Sequence, residues 1–216
     1  MPGTLVFGGS FNPIHYGHLL LADDVLEQLR ADRVLFVPAG SPPHKAAAGL
    51  APAPDRYAMV ERAVAGHPRF EVSDVELRRA GPSYTVDTLE MLAPTHAPLY
   101  LLIGSEMFLD LLSWRAPARL AALARLVVVP RAGSAFDPES AAAQKVLRAI
   151  GAPGFATLTG GGVPERGVLL VRAASLPISA SELRRRAREG QSLRYRVPEA
   201  VLEYIARHAL YGAPAR

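Results

Sequence analysis

Eleven consecutive residues near the amino end carry the densest chemistry in the chain: Gly8-Gly9-Ser10-Phe11-Asn12-Pro13-Ile14-His15-Tyr16-Gly17-His18. They follow a short apolar stretch at 4–7 and precede residues with helical spacing of apolar side chains (Leu19, Leu20, Ala22, Val25, Leu26, Leu29). Glycines let a backbone approach a ligand closely. The first turn of a helix offers unpaired N–H groups and positive partial charge to an anion. His15 and His18 are three residues apart, so a helix start sets both on one face beside that anion site. Imidazole N–H groups there can donate to phosphate oxygens whose charge changes during a reaction. Two glycines alone would indicate no more than a tight turn. A zinc pair is the other reading of the histidines, but Asp23 and Asp24 lie five and six residues beyond His18 and give no convincing third ligand spacing. The string fits neither the dinucleotide fingerprint nor the phosphate-loop lysine motif.

The elements that must hold this segment alternate. Strands are expected at 4–7, 33–38, 99–103, 126–129 and 168–171, with a short one within 70–77. Helices are expected at about 17–30, from a cap at Asp55 to 65, and at 83–93, 106–112, 138–150, 180–188 and 198–208. The strands are near-continuous apolar runs, the pattern of a parallel sheet buried on both faces. The fold class is therefore α/β, a doubly wound parallel sheet with helices on both faces, in which ligands bind beyond the carboxyl ends of the strands. Stretches 39–54 and 151–167 read as loops within one domain spanning 1–216, the last two helices packing on the sheet. No repeat or interdomain linker is visible.

Composition narrows the chemistry. The 216 residues are 50% hydrophobic and include no cysteine, which removes disulfides, thiolate metal sites and cysteine nucleophiles. No apolar run approaches the ~18–20 residues that span a membrane, and no signal peptide is read, so a cytoplasmic, soluble protein is expected. The net charge is +4 and the pI about 9.7. That balance fits an arginine-rich coding bias as well as an anionic ligand. Of the 24 basic residues all but Lys45 and Lys145 are arginine. A lysine at 45 is thus an unusual choice, and a compact ammonium acts differently from a guanidinium at a phosphate. No aromatic-and-glycine RNA-binding signature or basic recognition helix appears, so neither nucleic acid nor membrane is expected as a partner; a homo-oligomer stays open.

The string 8–18 resembles the signature of the nucleotidyltransferase superfamily with the H-x-G-H motif, and within it the nicotinate-nucleotide adenylyltransferases, which join nicotinate mononucleotide to the adenylyl group of ATP. Later segments are similar at matching positions. Pro42-Pro43-His44-Lys45 resembles the family's basic pair facing phosphates. Gly81 to Thr88 resembles the segment whose backbone helps bind the nicotinate carboxylate, and it reads equally as a helix capped by Ser83. Ile103-Gly104-Ser105-Glu106 and the single Trp114 resemble the ribose-contacting and ring-stacking segment. Trp114 also reads as a core aromatic. Ile178 to Arg184 resembles the I-S-[ST]-T-x-[IL]-R motif, with Ala180 and Ser181 in its middle and Ser179 able to cap a helix. Val197 to Tyr211 resembles the C-terminal helix and reads as packing, with His208 structural.

The resemblance implies ATP held by Gly8, Gly9, Ser10, Phe11, His15, His18, Gly104, Ile178, Ser179, Ser181 and Arg184. It implies nicotinate mononucleotide held by Asn12, His44, Lys45, Ser83, Tyr84, Thr85, Glu106 and Trp114. The catalytic roles fall to His15, His18, Lys45 and Arg184, with magnesium bound through substrate phosphates rather than by a protein ligand set. The likeness weakens over 115–170. Glu106 stands where the family usually has Asp. Pro130-Arg131-Ala132-Gly133 replaces an Arg-Pro-Gly turn, and the Gly160–Gly162 loop has no counterpart. Nicotinamide mononucleotide or another phosphomonoester acceptor, and a non-catalytic nucleotide-binding module, remain as alternatives on the residues alone.

Overall fold

In the computed structural model, residues 3–42, 49–130, 133–158, 164 and 166–212 are described. Seven parallel strands form one sheet: β1 (Thr4–Gly9), β2 (Arg33–Pro38), β3 (Phe70–Val72), β4 (Leu99–Gly104), β5 (Ala124–Val129), β6 (Phe155–Thr157) and β7 (Val168–Leu170). Their order is β3-β2-β1-β4-β5-β7-β6. The chain builds outward from β1 through β2 to β3, then returns to the other side of β1 with β4. Its topological switch point therefore lies between β1 and β4, where open α/β sheets form their ligand crevice.

Helices cover both faces: α1 (Tyr16–Leu29), α2 (Ala53–Val64), α3 (Val75–Arg78), α4 (Thr85–His96), α5 (Ser105–Leu109), α6 (Pro117–Leu123), α7 (Ala141–Ala149), α8 (Ala180–Arg188) and α9 (Glu199–Arg207). Successive strand residues point to opposite faces. Leu5, Tyr100, Leu102 and Val127 join Val25, Leu26, Met59, Leu183 and Val201 in one core. Val6, Leu101, Ile103 and Val128 join Leu89, Phe108, Leu120 and Val146 in the other. Both faces are apolar, and that is why the strands read as unbroken hydrophobic runs. Helices α8 and α9 contribute Leu183, Ala187, Val201 and Ile205 to the first core, so the C-terminal pair packs on the sheet.

Two expectations need correction. Asp55 does not cap α2; Pro52 is at the cap, Pro54 is in the first turn, where proline's fixed φ suits a helix and its missing N–H costs nothing, and Asp55 accepts a hydrogen bond from the Tyr204 hydroxyl at 2.8 Å. The short strand expected within 70–77 is β3, and the single turn of α3 follows it. Ser83 does not cap α4; Tyr84 holds that position, and Ser83 turns inward. Three elements were unforeseen, α3, α6 and the edge strand β6. The Gly160–Gly162 loop lies outside the described residues. Among the described residues, no helix is long and apolar enough to cross a membrane.

Leu102, 2% exposed in the central strand β4, tests this packing. Leu102→Ala should cost about 2–5 kcal/mol in urea denaturation. A loss well below that range would mean that β4 does not sit between two packed layers.

Candidate active site

Strand β1 ends at Gly8-Gly9, and β4, its neighbour, ends at Gly104. Around Gly8 and Gly104 the space a Cβ would enter is open to 4 Å, and Gly104 lines the crevice with bare backbone. Gly9 has a different reason to be glycine. A Cβ there would meet the Phe11 ring at 3.1 Å. Phe11 takes a left-handed φ of 43° and is 2% exposed. Its ring packs edge-on to Phe7 and His18. With the ring in the core, the Phe11 side chain is not free to contact a ligand.

The turn delivers His15 to the N-cap of α1 and His18 to its third position. The two imidazoles stack with centroids 3.7 Å apart. The His15 backbone N–H donates to His18 Nδ1 at 3.3 Å. An amide can only donate, so Nδ1 is an acceptor there and the proton of the neutral ring belongs on Nε2. Gly17 lies between them because His15 leaves no room: a Cβ would fall 3.0 Å from its Nδ1 and 3.1 Å from its Cε1.

Both histidines line an open cavity of about 950 Å³, together with Ser10, Asn12, Gly104, Ile178, Ser179, Ser181 and Arg184. Nine of the residues expected at ATP and acceptor thus meet from three separate stretches of chain. Ser179 caps α8, its hydroxyl accepting from the Glu182 N–H at 3.3 Å. The first turn of α8 therefore opens toward the same space as that of α1. Arg184 donates to the Asn12 carbonyl at 2.8 Å, fixing one edge of its guanidinium at the cavity wall.

Asn12 is a junction. Its Nδ2 donates to Gly49 O at 2.9 Å, while its Oδ1 accepts from Ala51 N at 3.1 Å and from the Tyr211 hydroxyl at 2.8 Å. The Asn12 side chain thus serves the architecture of the turn. Burial pushes the Tyr211 hydroxyl well above the ordinary tyrosine range, against a smaller opposite pull from Arg184 and Arg56, so it stays a protonated donor.

Ser83, Tyr84, Thr85, Glu106 and Trp114 do not line this cavity. The first three gather beside the Trp114 segment. Arg115 lies 4.9 Å over the Tyr84 ring and 3.5 Å from Asp87, so the start of α4 and the turn after α5 are neighbours. Trp114 is half-buried against the second core, and Glu106 is exposed on the first turn of α5. His44 and Lys45 lie outside the described residues. No group of three histidine or carboxylate side chains able to hold a metal exists among the described residues.

Two residues that the sequence reading passed over serve the site, Tyr211 and the fully buried Arg56 of α2. Arg56 carried a signal. It shares the inward face of its helix with Met59, Val60 and Val64, a core position where an arginine is out of place unless its donors are all used. Tyr211, 199 residues from its partner, gave none beyond its place in the C-terminal resemblance.

A cytidylyltransferase-like family model matches residues 6–186. A probable nicotinate-nucleotide adenylyltransferase of Thermus thermophilus is 46% identical over 209 residues, 95% of this chain and 97% of that protein. One from Thermomicrobium roseum is 43% identical over 208 residues, 95% and 90% of the two chains. The chain belongs to the nicotinate-nucleotide adenylyltransferase family. In fold, this family member is similar to the Plasmodium falciparum nicotinic acid mononucleotide adenylyltransferase complexed with NaAD, at a TM-score of 0.72 and 19% identity, covering 99% of both chains.

Gly17→Ala isolates the geometry of this family member's histidine pair. Alanine favours a helix by about 0.5–1 kcal/mol over glycine, so thermal stability should hold or rise. The displaced His15 ring should nevertheless lower kcat by about 10-fold or more, since small misplacements at a reacting centre are costly. Full activity in a stable Gly17→Ala protein would show that the ring position is not needed.

Proposed function

We infer that this chain transfers the adenylyl group of ATP to nicotinate mononucleotide, giving nicotinate adenine dinucleotide and pyrophosphate in NAD biosynthesis. It works as one domain over 1–216, in the cytoplasm. The observation that carries the reading is the shared cavity at the switch point. Two helix starts, two imidazoles and a guanidinium face one space there, in a chain whose curated relatives carry the adenylyltransferase name over their whole length.

The acceptor's 5′-phosphate oxygen attacks the α-phosphorus of ATP in line. A new P–O bond forms, the bond from the α-phosphorus to the bridging oxygen breaks, and pyrophosphate departs with that electron pair. The attacking oxygen is already anionic at neutral pH, so no general base is required. The protein's task is placement and charge stabilisation. His18, with Nε2–H as donor, and His15 beside it are assigned to the α-phosphate and the leaving group. Arg184 and the α8 N-terminus are assigned to the outer phosphates. Lys45 is assigned to the phosphates where the two substrates meet. Tyr84, Thr85 and Trp114 are assigned to the pyridine ring and its carboxylate.

Magnesium suits this donor set only as a companion of the triphosphate. Among the described residues the cavity is lined by imidazoles, hydroxyls and arginine, and the one carboxylate there, Glu182, is bound by Arg185 at 2.6 Å. Such a metal, carried on phosphate oxygens and water, would supply further neutralisation of phosphate charge.

Pyrophosphate release, measured with ATP plus nicotinate mononucleotide, its nicotinamide counterpart or another phosphomonoester, tests the reading directly. Turnover should be fastest with the nicotinate compound, and release from none of them would overturn the assignment. His18→Ala should lower kcat by roughly 10²–10³-fold, the scale for losing a preorganised donor, with the fold intact. Trp114→Ala should raise KM for the mononucleotide far more than KM for ATP; equal effects would leave the indole a purely structural role.

A further inference from the structure

Arg56 is 0% exposed, and its guanidinium spans three stretches of backbone. Nε donates to Ala51 O at 2.9 Å, one terminal nitrogen to Ser10 O at 2.8 Å and the other to Gly40 O at 3.2 Å. A buried guanidinium bonded to three carbonyls, with Glu76 and Tyr211 near enough to act on its charge, is an expensive way to fill a core, and an apolar side chain of similar volume is often as stable. The acceptors suggest a reason for it. Ser10 is on the wall of the nucleotide cavity, in the turn that carries His15 and His18. Gly40 adjoins Ser41, whose backbone N–H donates to Ser83 Oγ at 2.9 Å and whose carbonyl accepts from Ser83 N at 2.9 Å. Ser83 in turn leads directly into Tyr84 and α4.

One planar cation therefore stands between the histidine turn and the start of α4. The linkage has little slack. A Cβ at Gly40 would fall 2.4 Å from the Glu76 carbonyl oxygen, so the loop after β2 is pressed against α3. Glu76, itself buried, accepts from Thr88 Oγ1 of α4 at 2.6 Å, which pins α3 to the same helix.

We propose that Arg56 is a positioning residue that sets the distance between the ATP side and the acceptor side of the site, so that the attacking oxygen meets the α-phosphorus within reacting range. The proposal rests on the adenylyl-transfer reading. In-line attack needs atoms about 3–3.5 Å apart, and an error of about 1 Å costs about 10²-fold. Each substrate alone still finds its own half of the site intact. Loss of the brace thus acts on turnover more than on either binding step.

Arg56→Lys keeps the charge and most of the volume but not the planar fork that reaches three carbonyls. In the full chain, titration with a non-hydrolysable ATP analogue and separately with nicotinate mononucleotide should give dissociation constants within about threefold of the parent, while kcat falls by about 10²-fold. Ser83→Ala removes the hydroxyl at the other end of the same link and should also lower kcat. Combined with Arg56→Lys it should cost less than the product of the two single effects, because both cut one linkage. An unchanged kcat in Arg56→Lys, a loss that lies wholly in one dissociation constant, or multiplicative effects in the double variant would each overturn the brace. If Arg56→Lys does not fold, a Ser83→Ala protein with the parent's kcat overturns it alone. Absence of pyrophosphate release by the parent protein would instead strike the adenylyl-transfer reading.

Discussion

The site depends on how the amides at the start of a helix find partners: Tyr16 N–H donates to Arg196 O at 3.1 Å and His18 N–H to His15 O at 2.9 Å. Helix α1 begins one short turn after β1, and the backbone groups of its first turn have no helical partners of their own. Part of that deficit is met from within, since His18 turns back to accept the His15 N–H. The bond that tidies the helix end also decides which nitrogen of His18 carries a proton. Capping and chemistry are one arrangement here. The remaining positive end of the helix faces a crevice already lined with glycine backbone and a second helix start at α8.

Around that helix start the molecule commits unusual groups to fixing loops. Asn12 spends its amide on Gly49, Ala51 and Tyr211, and Arg56 spends its guanidinium on Ser10, Gly40 and Ala51. Loops past the strand ends would otherwise hold their separation poorly, because nothing in a sheet's own ladder extends beyond its last paired residue. Buried polar groups with every donor engaged are rigid. Two polyanions must be brought together here against their repulsion, and rigidity at the loops lowers the cost of holding them in register.

Much of this was legible from residues alone. Strands β1, β2, β4 and β5 announce themselves as apolar runs because both sheet faces are covered, and the Gly8–His18 string marks the crevice at the end of the first. Shorter elements escaped for lack of signal. β6 spans three residues at the sheet edge, and α6 is a seven-residue turn of mostly small side chains behind Pro117. Ser83 reads as a cap from its neighbours, yet its hydroxyl is taken by a loop 42 residues away, a pairing no local pattern encodes. Arg56 could have been noticed as a charge on an apolar helix face. The separation between the Trp114 cluster and the histidine cavity belongs to the fold, since residue spacing carries no information on which strand ends are neighbours.

The bond between Tyr211 and Asn12 joins residues 199 positions apart. On a chain emerging from the ribosome, the turn that carries Asn12 exists as sequence long before Tyr211 is made, and it lacks this anchor until then. Nascent fragments would carry every histidine of the motif and still hold an unfastened turn. The fastening of this turn is in that sense scheduled by topology, because it waits on a residue far along the polypeptide.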